Sequence, residues 1–222
     1  MGRQIGALLW KDLIVELRRR EQVLSLAVFS LLVLLIFNFA FDLRRTDLAA
    51  AGPGILWVTF VFTAVLSLNR AFSVEQDRGT WEGLLLAPID RGAIYLAKLA
   101  ANLAFTLVVE VIAIAAFTTF FDLPSNVLQL IAAVLAGTLG FATVGTLFAA
   151  MAANTRAREV LLPILLLPVS VPVIIGSVKA TAVAFEGVDA STGQYPWLGL
   201  VLAFDAIFLA VSFAVFEYVV ED

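Results

Sequence analysis

The chain has 222 residues, 62% of them hydrophobic and only 14% charged, with a mean hydropathy of +1.01 and a net charge of −4. Soluble domains are roughly 45–50% apolar and about 25% charged, so this composition excludes a water-soluble enzyme and indicates an integral membrane protein with several spans. The mild charge argues against a nucleic-acid partner, and the lack of any Cys or His removes disulfides, thiolate or imidazole metal sites and the usual haem ligands.

Met1 to Gln22 is charged but patterned. Ile5, Leu9, Leu13 and Leu17 recur every fourth residue, Trp10 and Ile14 widen that face, Lys11 and Arg18 lie opposite, and Glu16 intrudes on the apolar arc. A helix with such faces fits one lying on the membrane surface, with its apolar side in the acyl boundary, its basic residues among the lipid headgroups and Trp10 at the interface. Arg18, Arg19 and Arg20 then mark the edge of the first span, which also fits an ordinary topogenic charge cluster. The first apolar run has no small-residue cleavage site before the next loop, so it reads as a retained helix rather than a signal peptide.

Six apolar runs follow, each near the ~20 residues that a bilayer requires. They are Val23 to Phe41, Ile55 to Leu68 with extensions at both ends, Ala93 to Phe121, Val127 to Ala153, Val160 to Val178, and Trp197 to Val220. Asp42 to Gly54 is expected to be a short loop, and Lys179 to Pro196 a longer one. Six spans put both termini on one side. Placing the termini inside assigns 11 of the 14 Lys and Arg residues to inner segments and 3, namely Arg44, Arg45 and Lys179, to outer loops. The positive-inside rule therefore predicts a multi-pass protein of the cytoplasmic (inner) membrane with both ends in the cytoplasm.

The longest polar interruption away from the ends is Phe72 to Arg91. Ser73 with Gln76 forms a candidate capping box. Gly79–Thr80 breaks that turn and can cap a second short helix, Trp81 to Leu86, which Pro88 stops. Asp90 is placed to cap the helix after it. A short amphipathic helix is thus held out between two spans, as a handle for a partner protein that carries the chemistry. No nucleotide-binding, nucleophile or metal motif occurs elsewhere: Gly140 to Thr146 spaces two glycines like a phosphate-binding loop but lacks the lysine and lies inside an apolar span.

Inside the spans, Glu110 and Asp205 are carboxylates at membrane depth. They read either as a dyad, proton relay or substrate contact, or as packing groups hydrogen-bonded to a neighbour such as Asn102 or a threonine. Thr138, Ala142, Thr146 and Ala150, with nearby glycines, form a small-residue stripe suited to close helix packing. Pro168 and Pro172 stand one turn apart on the fifth span. Each frees a carbonyl that needs a protein or water partner, so this span is expected to be interior or beside a cavity, as a hinge or as a static kink.

Three stretches carry a family resemblance. They are Arg19-Arg20-Glu21-Gln22 leading into the first span; Gly54-Ile55-Leu56-Trp57-Val58 through Leu66-Ser67-Leu68-Asn69-Arg70-Ala71-Phe72 to Gly79-Thr80-Trp81-Glu82-Gly83-Leu84-Leu85-Leu86-Ala87-Pro88; and Leu166-Leu167-Pro168-Val169-Ser170-Val171-Pro172-Val173-Ile174-Ile175-Gly176. Together with the length and span order, they resemble the type-2 permeases of ABC exporters, and more closely the haem exporter B permease of cytochrome c maturation. The resemblance implies an all-α integral membrane protein: six transmembrane helices, an N-terminal interfacial helix and a short cytoplasmic coupling helix. It implies one permease domain over residues 1–222, with the interfacial helix at 1–22 and the coupling segment at 72–91. It implies a cytoplasmic ABC ATPase subunit that binds the ATP, a second copy of this chain, haem-handling membrane proteins and a haem chaperone, with haem as cargo and no cofactor bound by this chain. On that view Leu84, Leu85 and Leu86 fill an apolar groove of the ATPase, and Glu75, Asp77 and Glu82 meet its basic rim, around Gly79, Thr80 and Pro88. The alternative is a type-2 permease exporting a lipid, drug or polymer.

Overall fold

A computed structural model describes residues 1–18, 21–41, 45–71, 79–121, 126–153, 155, 157–187 and 193–221. Arg19, Arg20, Glu75, Asp77 and the Ser73–Gln76 capping box lie outside the described residues. Arg18, Thr80, Glu82 and Leu85 are described as helix backbone only.

The described residues are helical in the order α1 (Gly2–Arg18), α2 (Glu21–Phe41), α3 (Arg45–Ala71), α4 (Thr80–Leu86), α5 (Arg91–Phe120), α6 (Val127–Ala153), α7 (Arg158–Glu186) and α8 (Tyr195–Glu221). Among them α2, α3, α5, α6, α7 and α8 are long and apolar enough to cross a membrane. The protein is therefore a six-span, all-helical membrane protein with one amphipathic helix before the spans and one short helix between the second and third.

Local chemistry explains most boundaries. Asp90 caps α5, its carboxylate accepting from the Ala93 N–H at 3.1 Å. Asn126 does the same for α6 through the Gln129 N–H at 3.2 Å. Gly187 ends α7 in a left-handed conformation at φ 69°, and its N–H bonds to the Val183 carbonyl at 3.1 Å. Two boundaries differ from the sequence expectation. α3 begins at Arg45, so much of the expected 42–54 loop is helical, because Leu48 to Ala51 are strong helix formers and Pro53 is accommodated within the helix. α7 runs on to Glu186 past Lys179, which shortens the expected loop; a charge ends an apolar run without ending backbone hydrogen bonding.

The helix α6 is the centre of the bundle and packs against α7, α8, α5 and α3. The small-residue stripe makes this possible. A Cβ on Gly137 would lie 2.1 Å from the Trp57 ring of α3 and 2.2 Å from the Ser177 hydroxyl of α7. One on Gly140 would lie 2.2 Å from Asp205 of α8. The stripe thus serves packing within the chain. Hydrogen bonds stitch the same seams: Trp57 Nε1 donates to Thr181 Oγ1 at 2.9 Å, Asn102 Nδ2 to Thr146 Oγ1 at 3.2 Å, and Tyr95 Oη to the Thr143 carbonyl at 3.1 Å. At the far end from α1 and α4, Gln194 donates to the carbonyls of Gln129 and Ala180 at 2.7 and 3.3 Å, holding the start of α8 to α6 and α7. In a medium without water, such partners are what allow polar groups to be buried.

Candidate functional site

Two places hold the chemistry-bearing side chains: the end of the bundle where α1 and α4 lie, and the bundle interior.

At the first, Gly79 precedes α4 with φ 65°, a left-handed conformation that suits glycine, and Ala87 follows it in extended conformation, as a residue before proline prefers. The seven residues of α4 are too few to be stable alone, so packing must hold them. Trp81 supplies it. Its side chain is 7% exposed and belongs to the apolar cluster that includes Leu68, Ile94, Tyr95 and Phe216. Leu84 and Ile89 are half-buried against the same cluster, so Leu84 faces partly inward. Leu86 points the other way and is 86% exposed, beside exposed Gly83 and Pro88. Among the described side chains, Trp81 thus anchors the helix and Leu86 is presented outward.

The amphipathic helix α1 lies along α5. Trp10 is 66% exposed on its outer side, where an interfacial aromatic would sit, and Leu8 packs on the core cluster. Asp12 meets Lys98 of α5 at 3.1 Å and Lys11 at 3.1 Å. Gln4 Nε2 donates to the Pro88 carbonyl at 3.4 Å, just beyond α4. Sequence reasoning missed both the burial of Trp81 and the Asp12–Lys98 pair. The charge count places Lys98 with the inner segments, and it lies two turns inside α5. That position, facing the acidic Asp12 of a helix that must lie nearby, was the available signal.

In the interior, Thr138 Oγ1 lies 2.8 and 2.9 Å from the two carboxyl oxygens of Glu110. The pair borders a cavity of about 10 Å³ walled by Trp57, Phe60 and Phe141, room for about one water. Asp205 is buried against Gly140, and its carboxyl oxygens have no hydrogen-bond partner among the described residues. Thr138 and Gly140 are two residues apart, so they point to different sides of α6. Glu110 and Asp205 therefore occupy different seams and are not brought together as a dyad. Asn102, the other partner considered for Glu110, bonds to Thr146 instead.

Pro168 and Pro172 are exposed, on one face of α7 with Ile164, Val171 and Ile175. The opposite face, with Leu162, Leu166, Ser170, Val173 and Ser177, is the buried one. The span expected to be interior or beside a cavity packs against α6, α3 and α8 through this buried face, with Pro168 and Pro172 on its other, exposed side.

These features define a polytopic membrane protein whose packed helical body carries a short anchored helix and an interfacial helix at one end. The chain matches the model of the CcmB protein family over residues 3–220, and it belongs to that family. It is similar to "Heme exporter protein B" of Pseudomonas aeruginosa, 26% identical over 204 residues covering 91% of each chain. It is similar to the proteins of that name from Rhodobacter capsulatus, 32% identical over 82% of this chain and 84% of the relative, and Paracoccus denitrificans, 30% identical over 84% and 86%.

Proposed function

We propose that this chain is the membrane permease subunit of an ABC transporter serving cytochrome c biogenesis. ATP is bound and hydrolysed by a partner ATPase subunit, and the movement is passed through α4 to drive haem export or the release of a haem-loaded chaperone. The observation that carries this reading is the family match across residues 3–220, with relatives named as haem exporters over most of their length. The anchored helix α4, with Leu86 outward, supports it as the docking element. Buried apolar anchors ringed by polar residues are how such interfaces hold, so Leu86 seats in the ATPase and Glu75, Asp77 and Glu82 ring it.

In the mechanism, ATP binding closes two ATPase subunits beneath two copies of this chain. The helix α4 moves with them, and α2, α3 and α7 repack, with Pro168 and Pro172 as the place where α7 bends. Both termini and α4 face the cytoplasm of the inner membrane, in keeping with the distribution of Lys and Arg. Without His or Cys, the chain lacks the strong axial ligands of iron, so haem as substrate is liganded by haem-handling membrane proteins beside it, and this subunit's role is mechanical.

Co-purification in mild detergent tests this. An ABC ATPase and haem-handling membrane proteins should come with the chain; isolation without any ATPase would contradict the proposal. The purified chain should take up haem well below one per copy, and near-stoichiometric specific binding would contradict the mechanical role.

A further inference from the structure

Gln4, Leu8 and Asp12 stand four residues apart and so share one face of α1. Each makes a different attachment along that face. Gln4 donates to the Pro88 carbonyl at 3.4 Å, Leu8 packs on the apolar cluster that holds Trp81, and Asp12 meets Lys98 at 3.1 Å. Only 8% of the Lys98 side chain and 14% of the Asp12 side chain are exposed. A lysine buried two turns inside an apolar helix is costly unless paired, and a buried pair contributes mainly by fixing which elements lie together. Here it fixes α1 on α5, and only the four residues 87–90 separate α4 from α5.

We infer that Asp12 and Lys98 are positioning residues for coupling. Their ion pair clamps α1 to α5 so that α1, α4 and the first turns of α5 move as one rigid body. Gln4 holds the α4 end of that body and the ion pair holds the α5 end, with Leu8 between. Movement imposed at α4 then reaches the span without being lost in a local hinge at residues 87–90. This rests on the reading of α4 as the ATPase-docking element.

The test uses the complete transporter in its membrane and measures cytochrome c maturation and ATP hydrolysis separately. Asp12→Asn should lower maturation per ATP hydrolysed by about tenfold, a coupling change of ordinary size, while the ATPase stays bound. Asp12→Glu, or exchange of the two charges by Asp12→Lys with Lys98→Asp, should recover most of the ratio. An unchanged ratio in Asp12→Asn overturns the clamp. Should Asp12→Asn fail to accumulate, the chain's lack of native cysteine permits Asp12→Cys with Lys98→Cys and a short bifunctional thiol reagent. Crosslinking that restores the ratio supports the clamp; a crosslinked complex that stays uncoupled, or a pair that cannot be crosslinked, overturns it. The unaltered chain is the control for the underlying reading. If no ATPase co-purifies with it, docking at α4 fails; if the ATPase is present and Asp12→Asn remains coupled, the clamp alone fails.

Discussion

The α1–α4 end and the bundle interior both bury polar groups, but they use them differently. At the α4 end the ties run between separate elements: Asp12 of α1 to Lys98 of α5, Gln4 of α1 to the carbonyl beyond α4, and Trp81 of α4 into the shared core. In the interior, Glu110 has a single hydroxyl neighbour and Asp205 none among the described residues, each in its own seam of α6. On the proposed reading, ties that reach the short helices α1 and α4 make a lever that moves as a unit, whereas Glu110–Thr138, Trp57–Thr181 and Asn102–Thr146 tie long spans to one another beside small residues and make a packed wall. The contrast teaches that polar content alone does not mark the working part of this protein. On the proposed reading, what marks it is that the polar groups join α1, the chain beyond α4, and α5.

The comparison can be broken most severely at Trp81. Trp81→Ala removes the anchor of a seven-residue helix and should cost about 3–5 kcal/mol, as truncation of a buried aromatic does. The readouts are thermal unfolding in detergent and retention of the ATPase, and both should fall. Gly137→Val attacks the wall instead, where added atoms meet Trp57 and Ser177. It should cost about 1–3 kcal/mol of stability by overpacking, with maturation falling only in proportion to the protein that accumulates. The smallest functional effect is expected from Glu110→Gln and Asp205→Asn, whose maturation per molecule should stay within about twofold, since an isosteric change at a packing site leaves the joined elements untouched. Loss of maturation in either variant at normal abundance would make that carboxylate part of the working machinery and dissolve the contrast.

Much of this was legible in the chain because a bilayer imposes a coarse and strict code. Apolar length placed six spans, Asp90 was recognisable as a cap, and the small-residue stripe on α6 announced close packing. The missing parts share a cause: hydropathy sees the membrane, whereas pairing sees neighbours. The start of α3 at Arg45 and the end of α7 at Glu186 lie where helix outlasts the apolar run. Lys98 looked like one more inner-segment charge until α1 brought Asp12 beside it. Trp81 reads as the start of the short amphipathic helix, and which face of that helix packs was not legible from so short a stretch, although a tryptophan in a seven-residue helix is the natural candidate to bury. Which side of α7 carries Pro168 and Pro172 was not legible, because the backbone argument fixes only that freed carbonyls need partners, not which side of the helix packs.

The central claim, that α4 is where the ATPase docks, is tested most directly by capturing the ATPase from membranes with a chain carrying Leu86→Asp. At 86% exposure, Leu86 contributes little to the fold, so the thermal transition of the chain should move by no more than about 0.5 kcal/mol equivalent. The account predicts that the ATPase retained in mild detergent falls at least about tenfold, the loss expected when a central apolar anchor is replaced by a charge. Full retention of the ATPase, with ATP hydrolysis still driving maturation at the normal rate, would contradict it.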